Sequence, residues 1–499
     1  MEFLNPQAER RHRILLFVGY GLVAIAIGLV TQLFLYRLYN GYTLDIKGDI
    51  HQSGLVFVSS EPNGATISLN GTATAKTNAR LSLNAGEYDM RIQAAGYREW
   101  SHEVKVYGAD VQRFTYAKLF PTKLTTSTVK TIDSAPLFTS QSPSRRWLLI
   151  KEASPNTFML YDLKRPDAPV TTELTVPTDT VLTAGDGVYT WSVVEWASND
   201  QYVLLDHTYT IGETTGHEYI LLDRTAPANS KNLTHTLAIT ADEELTLFDK
   251  KYDQYYSYNK QTKILRAFAT GGKLLADQLE HVIAYKTYGN DTVLYVTDLP
   301  ESGKQEPGTV NVVVRQGSSR LVLRRLSAVS PGYLLDITRF NSTWYMVAAA
   351  TNGKGVFVYR DPFSQTLTGT TLPQVWRFLR LQNPVSVSVS ANAQFIVAQN
   401  GQDCAVYDAD NVATTRFTLS RPLDAPQIKA IWMDGHRLTY VAGGKLIVVE
   451  YDNQNAVELQ PALPQFGTYF SADYSYSYAF ASGDATTVKL TSTPLTVKQ

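Results

Sequence analysis

From Ser142 to near its C-terminal end, the chain keeps returning to one short pattern. A strand of large apolar residues is followed by a Gly/Asn/Asp turn and then by a second strand that most often ends in a Tyr-Asp or Leu-Asp step. The pattern is read in "SPSRRWLLIKEASPNTFMLYDL" from Ser142, in "WASNDQYVLLDHT" with "HEYILLDR" from Trp196 to Arg224, and in "LEHVIAYKTYGNDTVLYVTDL" from Leu279. It continues in "ITRFNSTWYMVAAATNGKGVFVYRDP" from Ile337, "VSVSANAQFIVAQNGQDCAVYDAD" from Val387, "IKAIWMDGHRLTYVAGGKLIVVEYD" from Ile428 and "YFSADYSYSYAFASGDATTVKLTS" from Tyr469. Asp162, Asp223, Asp298, Asp361, Asp408 and Asp452 mark these units, and no convincing amphipathic helix lies between them. One such unit cannot bury its apolar strands alone, so copies must stack, and stacked strand units without helices predict a β-propeller over 120–499. At roughly 40 to 50 residues per blade, that length holds seven or eight blades. The segment "PTKLTTSTVKT", Pro121 to Thr131, is placed to add an outer strand to the last blade and close the ring. The competing architecture is an array of two-sheet sandwiches.

The N-terminal region obeys a different rule. Ile14 to Tyr36, "ILLFVGYGLVAIAIGLVTQLFLY", carries no charge and is long enough as a helix, at about 1.5 Å per residue, to cross a hydrocarbon layer of roughly 30 Å. Arg10, Arg11 and Arg13 precede it, whereas Arg37 alone follows before the acidic Asp45, so the positive-inside rule keeps residues 1–13 in the cytoplasm and everything after the helix outside. A cleaved signal peptide would need a shorter apolar core and a small-residue cleavage site, which "LFLYRLYNGY" lacks. The expectation is a single-pass anchor in the cytoplasmic membrane over 14–36 and a polar linker over 37–53.

Beyond the linker, strand patterns of period two are punctuated by glycine turns: Val56 to Ser60, Thr66 to Leu69, Leu81 and Leu83, Tyr88 to Ile92, Val104 and Val106. This predicts a small antiparallel sandwich over 54–119. The segment resembles the PEGA domain, whose Pro-Glu-Gly-Ala turn is represented here by Pro62, Asn63, Gly64 and Ala65, with Ala85, Gly86, Tyr88, Gly96, Tyr97 and Trp100 at matching spacing. It departs at Asn63 and at "TAKTNARL", where a Gly-x-Thr-Pro turn is usual. The resemblance implies a non-enzymatic spacer or surface module on an exported bacterial protein. In the C-terminal region "SPSRRWLLI", "WASNDQYVLL" and "VSANAQFIVA" resemble the Ser-Pro-Asp-Gly turn and strand of TolB-like and peptidase-type propellers, with the Asp-Gly pair replaced in every copy.

Composition argues against nucleic acid as a partner, because 45 basic and 46 acidic residues leave no basic field. Cys404 has no second cysteine to pair with, and strand alternation makes it a small core residue. Neither a Gly-x-Ser-x-Gly elbow, a His-Glu-x-x-His helix, a Walker loop nor a paired-cysteine motif occurs, so no catalytic, cofactor or metal residues are assigned and no ligand is identified. The richest polar cluster is "DHTYTIGETTGHEY", with Asp206, His207, Glu213, His217 and Glu218. Its chemistry suits a metal or acid–base work, yet a long solvated hairpin between Leu205 and Ile220 explains it and is the expected reading. Likewise "YDADN" is expected to be a turn rather than a calcium loop. Tyr474, Tyr476 and Tyr478 are expected on one sheet face, packed between blades in preference to stacking on sugars.

These readings lead to an all-β protein on a transmembrane anchor: a non-enzymatic extracytoplasmic scaffold of the bacterial envelope whose propeller binds a protein or a cell-wall glycan. The alternative is a propeller hydrolase or lyase acting on an envelope polymer. A channel lined by convergent Asp, Glu and His favours the second, and an apolar or tyrosine-rich face favours the first.

Overall fold

The computed structural model describes residues 6–39, 42–44, 50–181, 187–300, 307–366, 371–425, 428–484 and 486–497. The chain divides into two compact units, Met1–Lys123 and Leu124–Gln499.

In the first unit one helix runs Pro6–Tyr39, and its segment Arg13–Tyr36 is long and apolar enough to cross a membrane. Arg10, Arg11 and Arg13 lie exposed on its first turns. The expected linker is not a spacer throughout: Tyr42–Leu44 pairs antiparallel with residues 50–52, the beginning of the strand Ile50–Glu61.

The rest of this unit is two four-stranded sheets. One contains Tyr42–Leu44, Ile50–Glu61, Ala79–Asn84 and Val111–Lys118, and the other contains Thr72–Lys76, Thr66–Leu69, Gly86–Gln93 and Trp100–Val106. The sandwich is antiparallel except where Ile50–Glu61 pairs parallel with Val111–Lys118. Period-two alternation turns Val56, Val58, Ile67, Leu69, Met90, Ile92, Val104 and Val106 into a common core around Trp100.

The Pro62–Ala65 turn is held by a residue from the segment where the family pattern breaks. Thr77 Oγ1 accepts the Ala65 N–H at 3.0 Å and the Ser60 hydroxyl at 2.8 Å, while the Thr77 N–H returns to the Ala65 carbonyl. The next residue, Asn78, sits at φ +66°, which a proline ring forbids. The departure from Gly-x-Thr-Pro therefore keeps the threonine, with Ala75 at the glycine position and Asn78 at the proline position.

The second unit contains eight four-stranded sheets among the described residues: 138–175, 188–232, 243–279, 282–327, 333–380, 386–418, 431–461, and 469–494 completed by Ser127–Ile132. We number these blades 1 to 8. First strands of successive blades touch, as in blades 1 and 2 and blades 4, 5 and 6, so the first strand is the inner one. The ring is closed by hydrogen bonding between the two ends of the unit: Ser127–Ile132 pairs antiparallel with Val488–Pro494 as the outer strand of blade 8.

Blade 8 then packs on blade 1 through Tyr478, Phe480 and Leu490 against Leu148, Ile150 and Tyr161. Equivalent cores lie between other neighbours, for example Phe158, Trp191 and Leu205 between blades 1 and 2. Middle strands are thus covered on both faces, and every residue of Thr292–Thr297 is buried. This explains why the units read as continuous apolar runs instead of alternating ones.

Blade 3 is the one that the repeat pattern did not reveal. Its second strand is Gln254–Asn259, inside the tyrosine run "KKYDQYYSYNK", and Tyr255 packs toward blade 2 while Tyr256 and Tyr258 pack toward blade 4. The marker aspartates end or follow the third strand of their blades, with one exception. Asp298 follows a second strand and binds Lys263 and His281.

Candidate functional site

The inner strands all run in the same direction, so the turns that follow them gather on one face. Four of these turns are built alike. Ser142–Arg145, Ala197–Asp200, Ser390–Ala393 and Ser471–Tyr474 each close with an N–H to carbonyl bond of 2.8 to 3.1 Å between fourth and first residues. Their fourth residues have φ of +62°, +58°, +63° and +56°, the conformation for which glycine is the ordinary choice. The turn geometry therefore survives replacement of the Asp-Gly pair.

On this face a cavity of about 870 Å³ is lined by residues of blades 2 to 6. Blade 2 contributes Glu195, which a bulge between Val193 and Glu195 re-aims, and its carboxylate accepts the Leu247 N–H of blade 3 at 2.6 Å. Blade 3 contributes Asp249 and Lys250, consecutive residues at φ +53° and +54°, with the Lys250 carbonyl accepting the Ser198 N–H at 2.9 Å. Two consecutive left-handed non-glycine residues cost about 1–2 kcal/mol each, and such strain collects at functional loops.

Blade 4 contributes Tyr285, Lys286 and Tyr288, and Lys286 reaches Asp336 of blade 5 at 3.4 Å. Burial pushes the Glu195 and Asp336 carboxyls above the usual range, against the pull of Lys250 and Lys286 on the first and of Lys286 on the second. Burial also raises the Tyr285 phenol to about 12. Donors, acceptors, both signs of charge and two tyrosines thus share one opening. No motif announces Glu195, Lys250, Lys286 or Asp336, because they come from separate blades and meet only in three dimensions.

A second cavity, of about 440 Å³, lies between blades 1 and 2 and contains part of the cluster singled out in the sequence. Tyr202–Ile211 and Thr214–Asp223 do form a long hairpin, but the expectation that it is solvated fails for its body. His207 stands opposite Glu218, both are buried, and Nδ1 lies 3.4 Å from the carboxylate. Asn232 donates to Glu218 at 3.2 Å and to the Thr180 carbonyl at 3.1 Å. The His207 ring is stacked parallel to Tyr189 at 5.5 Å and tilted against Trp191 at 4.3 Å.

Asp206 and His217 form a separate pair at 3.6 Å, and burial raises the Asp206 carboxyl. Only Glu213, at the hairpin tip, is exposed as expected. Among the described residues no group of three His, Cys, Asp or Glu side chains is arranged to hold a metal.

The remaining sequence candidates are structural. In "YDADN" the Asp408 carboxylate accepts the N–H groups of Asp410 and Asn411, which is a turn. Cys404 is a buried free thiol that burial pushes up to about 12. Tyr478 and Tyr476 pack between blades 8 and 1, but Tyr474 is not on their strand: it occupies the preceding turn beneath the Arg145 guanidinium, 4.3 Å from its ring.

The fold and this geometry define a β-propeller protein with an N-terminal apolar helix. Residues 53–119 match the PEGA domain family, so the small sandwich is a PEGA domain. No curated protein matches the chain. Solved structures with propeller-type folds are similar to it at low identity. Hsv2 of Kluyveromyces lactis is 10% identical, with 71% of this chain and 97% of that one covered and a TM-score of 0.36. An oligogalacturonate lyase in complex with manganese is 11% identical over 74% of this chain and 98% of that one, TM-score 0.33. A prolyl endopeptidase is 12% identical over 58% and 45%, TM-score 0.38.

Proposed function

We propose that this is a non-enzymatic binding platform of the bacterial cell envelope, held in the cytoplasmic membrane by Arg13–Tyr36 with the PEGA domain and propeller on the outer side. The observation that carries the reading is the 870 Å³ cavity on the turn face of the propeller. Two of its three carboxylates already serve neighbouring blades, Glu195 through the Leu247 N–H and Asp336 through Lys286, so they are placed to hold shape and to offer polar contacts. Tyr288, more than a third exposed at the rim, adds an aromatic face for a sugar ring or a peptide side chain.

A photoreactive amino acid in place of Tyr288, activated in intact cells, tests this. Capture of one envelope protein or of cell-wall glycan, competed by excess unlabelled full-length protein, supports the platform. Absence of any competed adduct removes it.

The hydrolase or lyase reading draws on one observation, the two carboxyls of raised pKa in a single cavity, a property that clusters at catalytic sites. Release of reducing ends or unsaturated products from purified cell-wall polymer, abolished by both Glu195→Gln and Asp336→Asn, would establish it.

A further inference from the structure

The cavity between blades 1 and 2 carries an electrostatic imbalance that the platform reading does not use. Lys151 lines it and is completely buried. Its ammonium donates to the carbonyls of Glu152 and Thr157, at 3.0 and 3.2 Å, and to that of Ser154. Its three protons are satisfied, but its charge is not. Among the described residues no carboxylate forms an ion pair with it, and Glu152 acts on it only at longer range. Buried charges are ordinarily paired, because carbonyl dipoles replace hydration only in part. The Phe158 ring, 5.1 Å away, offers weak compensation.

The other walls say what shape of counter-ion fits. Tyr189 and Trp191 form an aromatic side, Leu137, Pro155 and Val181 are its apolar lining, and the His207 imidazole, within reach of Glu218, stands against the two aromatic rings, with Ser154, Asn156 and Thr178 as further polar lining. A volume of about 440 Å³ falls in the range of small-ligand sites. We infer that this interblade cavity binds a small ring-bearing carboxylate, whose anion lies in the field of Lys151 and within reach of His207 while its ring lies against Tyr189 and Trp191. The site is separate from the turn-face cavity, sharing none of its lining residues, and its test neither needs nor affects the platform reading.

The test is calorimetric titration of the full chain in lipid nanodiscs, with empty nanodiscs as the blank. The probes are phenylacetate, glucuronate and the uncharged phenylacetamide. At least one carboxylate is expected to bind saturably, and the amide at least about tenfold more weakly. Binding of phenylacetate alone assigns an apolar ring, and binding of glucuronate alone a sugar acid. Failure of both carboxylates at about 10 mM, or equal affinity for acid and amide, overturns the inference.

Lys151→Met keeps the length of the side chain and is expected to weaken carboxylate binding at least about tenfold, whereas undiminished binding refutes the role of the charge. Should that variant fold poorly, the wild-type protein answers alone. The titratable groups that share the cavity with Lys151 are Tyr189 on the inner strand of blade 2 and His207 on the hairpin, and Glu152 stands beside Lys151 in the chain. Lys151 loses its proton at about 8, so affinity is expected to fall between about pH 7 and 9.5 while the probe stays ionised. A flat profile contradicts the proposal.

Discussion

Lys151 allows a stability prediction whose size follows from the structure. Burial holds its ammonium at about 8 in place of the ordinary 10.5. A depression from 10.5 to about 8 corresponds to about 3 kcal/mol of unfavourable free energy for the charged form in the folded protein. The sign follows from proton counting. Below pH 8 both folded and unfolded chains carry the proton and the full cost is present. Between 8 and 10.5 the unfolded chain binds more protons than the folded one, so this group makes stability rise with pH.

Lys151→Met removes the charge and also strands the carbonyls of Glu152, Ser154 and Thr157, which costs about 1 kcal/mol for each lost bond. The two effects nearly cancel at pH 7. The informative quantity is therefore the change in unfolding free energy between about pH 7 and 10, wild type minus variant, where titrations elsewhere in the chain drop out. It is expected to be about 2–3 kcal/mol in favour of a steeper rise for the wild type. Guanidinium titrations of both proteins, followed by tryptophan fluorescence, measure it. Parallel curves for the two proteins would show that Lys151 is solvated and that the desolvation reasoning is wrong.

Three further predictions concern the ring. Leu490 is fully buried where blade 8 meets blade 1, so Leu490→Ala should cost about 3–5 kcal/mol in chemical denaturation, and a loss below about 1 kcal/mol would mean that ring closure does not depend on this core. Ala393 occupies a left-handed turn position at φ +63°, so Ala393→Gly should stabilise by about 0.5–1 kcal/mol, while Gly401→Ala, at φ +54°, should destabilise by a similar amount; the same sign for both contradicts the turn assignment. Cys404, buried with a thiol pushed up to about 12, should resist maleimide in the native protein at pH 8 and react fully in guanidinium, and rapid native labelling would place it at the surface.

Several things were decided by the sequence alone, because they depend on contacts between near neighbours in the chain. An uncharged run from Ile14 to Tyr36 is apolar wherever it lies, and it forms the helix expected. Glycine punctuation and period-two alternation wrote out the PEGA sandwich, down to the turn at Pro62–Ala65. The recurring strand units marked a propeller, and the segment before them was placed to close it.

Tertiary structure decided what depends on which surfaces meet. Blade 3 carries no legible repeat because its core strand buries tyrosines, whose hydroxyls suit solvent as well as an interior, where Tyr258 donates to the Val282 carbonyl of the next blade. The parallel pairing of Ile50–Glu61 with Val111–Lys118 leaves no local trace, since it joins segments some fifty residues apart. The polar hairpin around His207 reads as solvated because polarity ordinarily signals water, and only the tertiary packing, with Trp191 and Tyr189 of the same blade's inner strand against the imidazole, turns it into an interior. For the same reason neither cavity was legible. Glu195, Lys286 and Asp336 are unremarkable in their own strands and Lys250 in its turn, and Lys151 is an ordinary strand-end lysine until a second blade closes over it and removes the water that its charge requires.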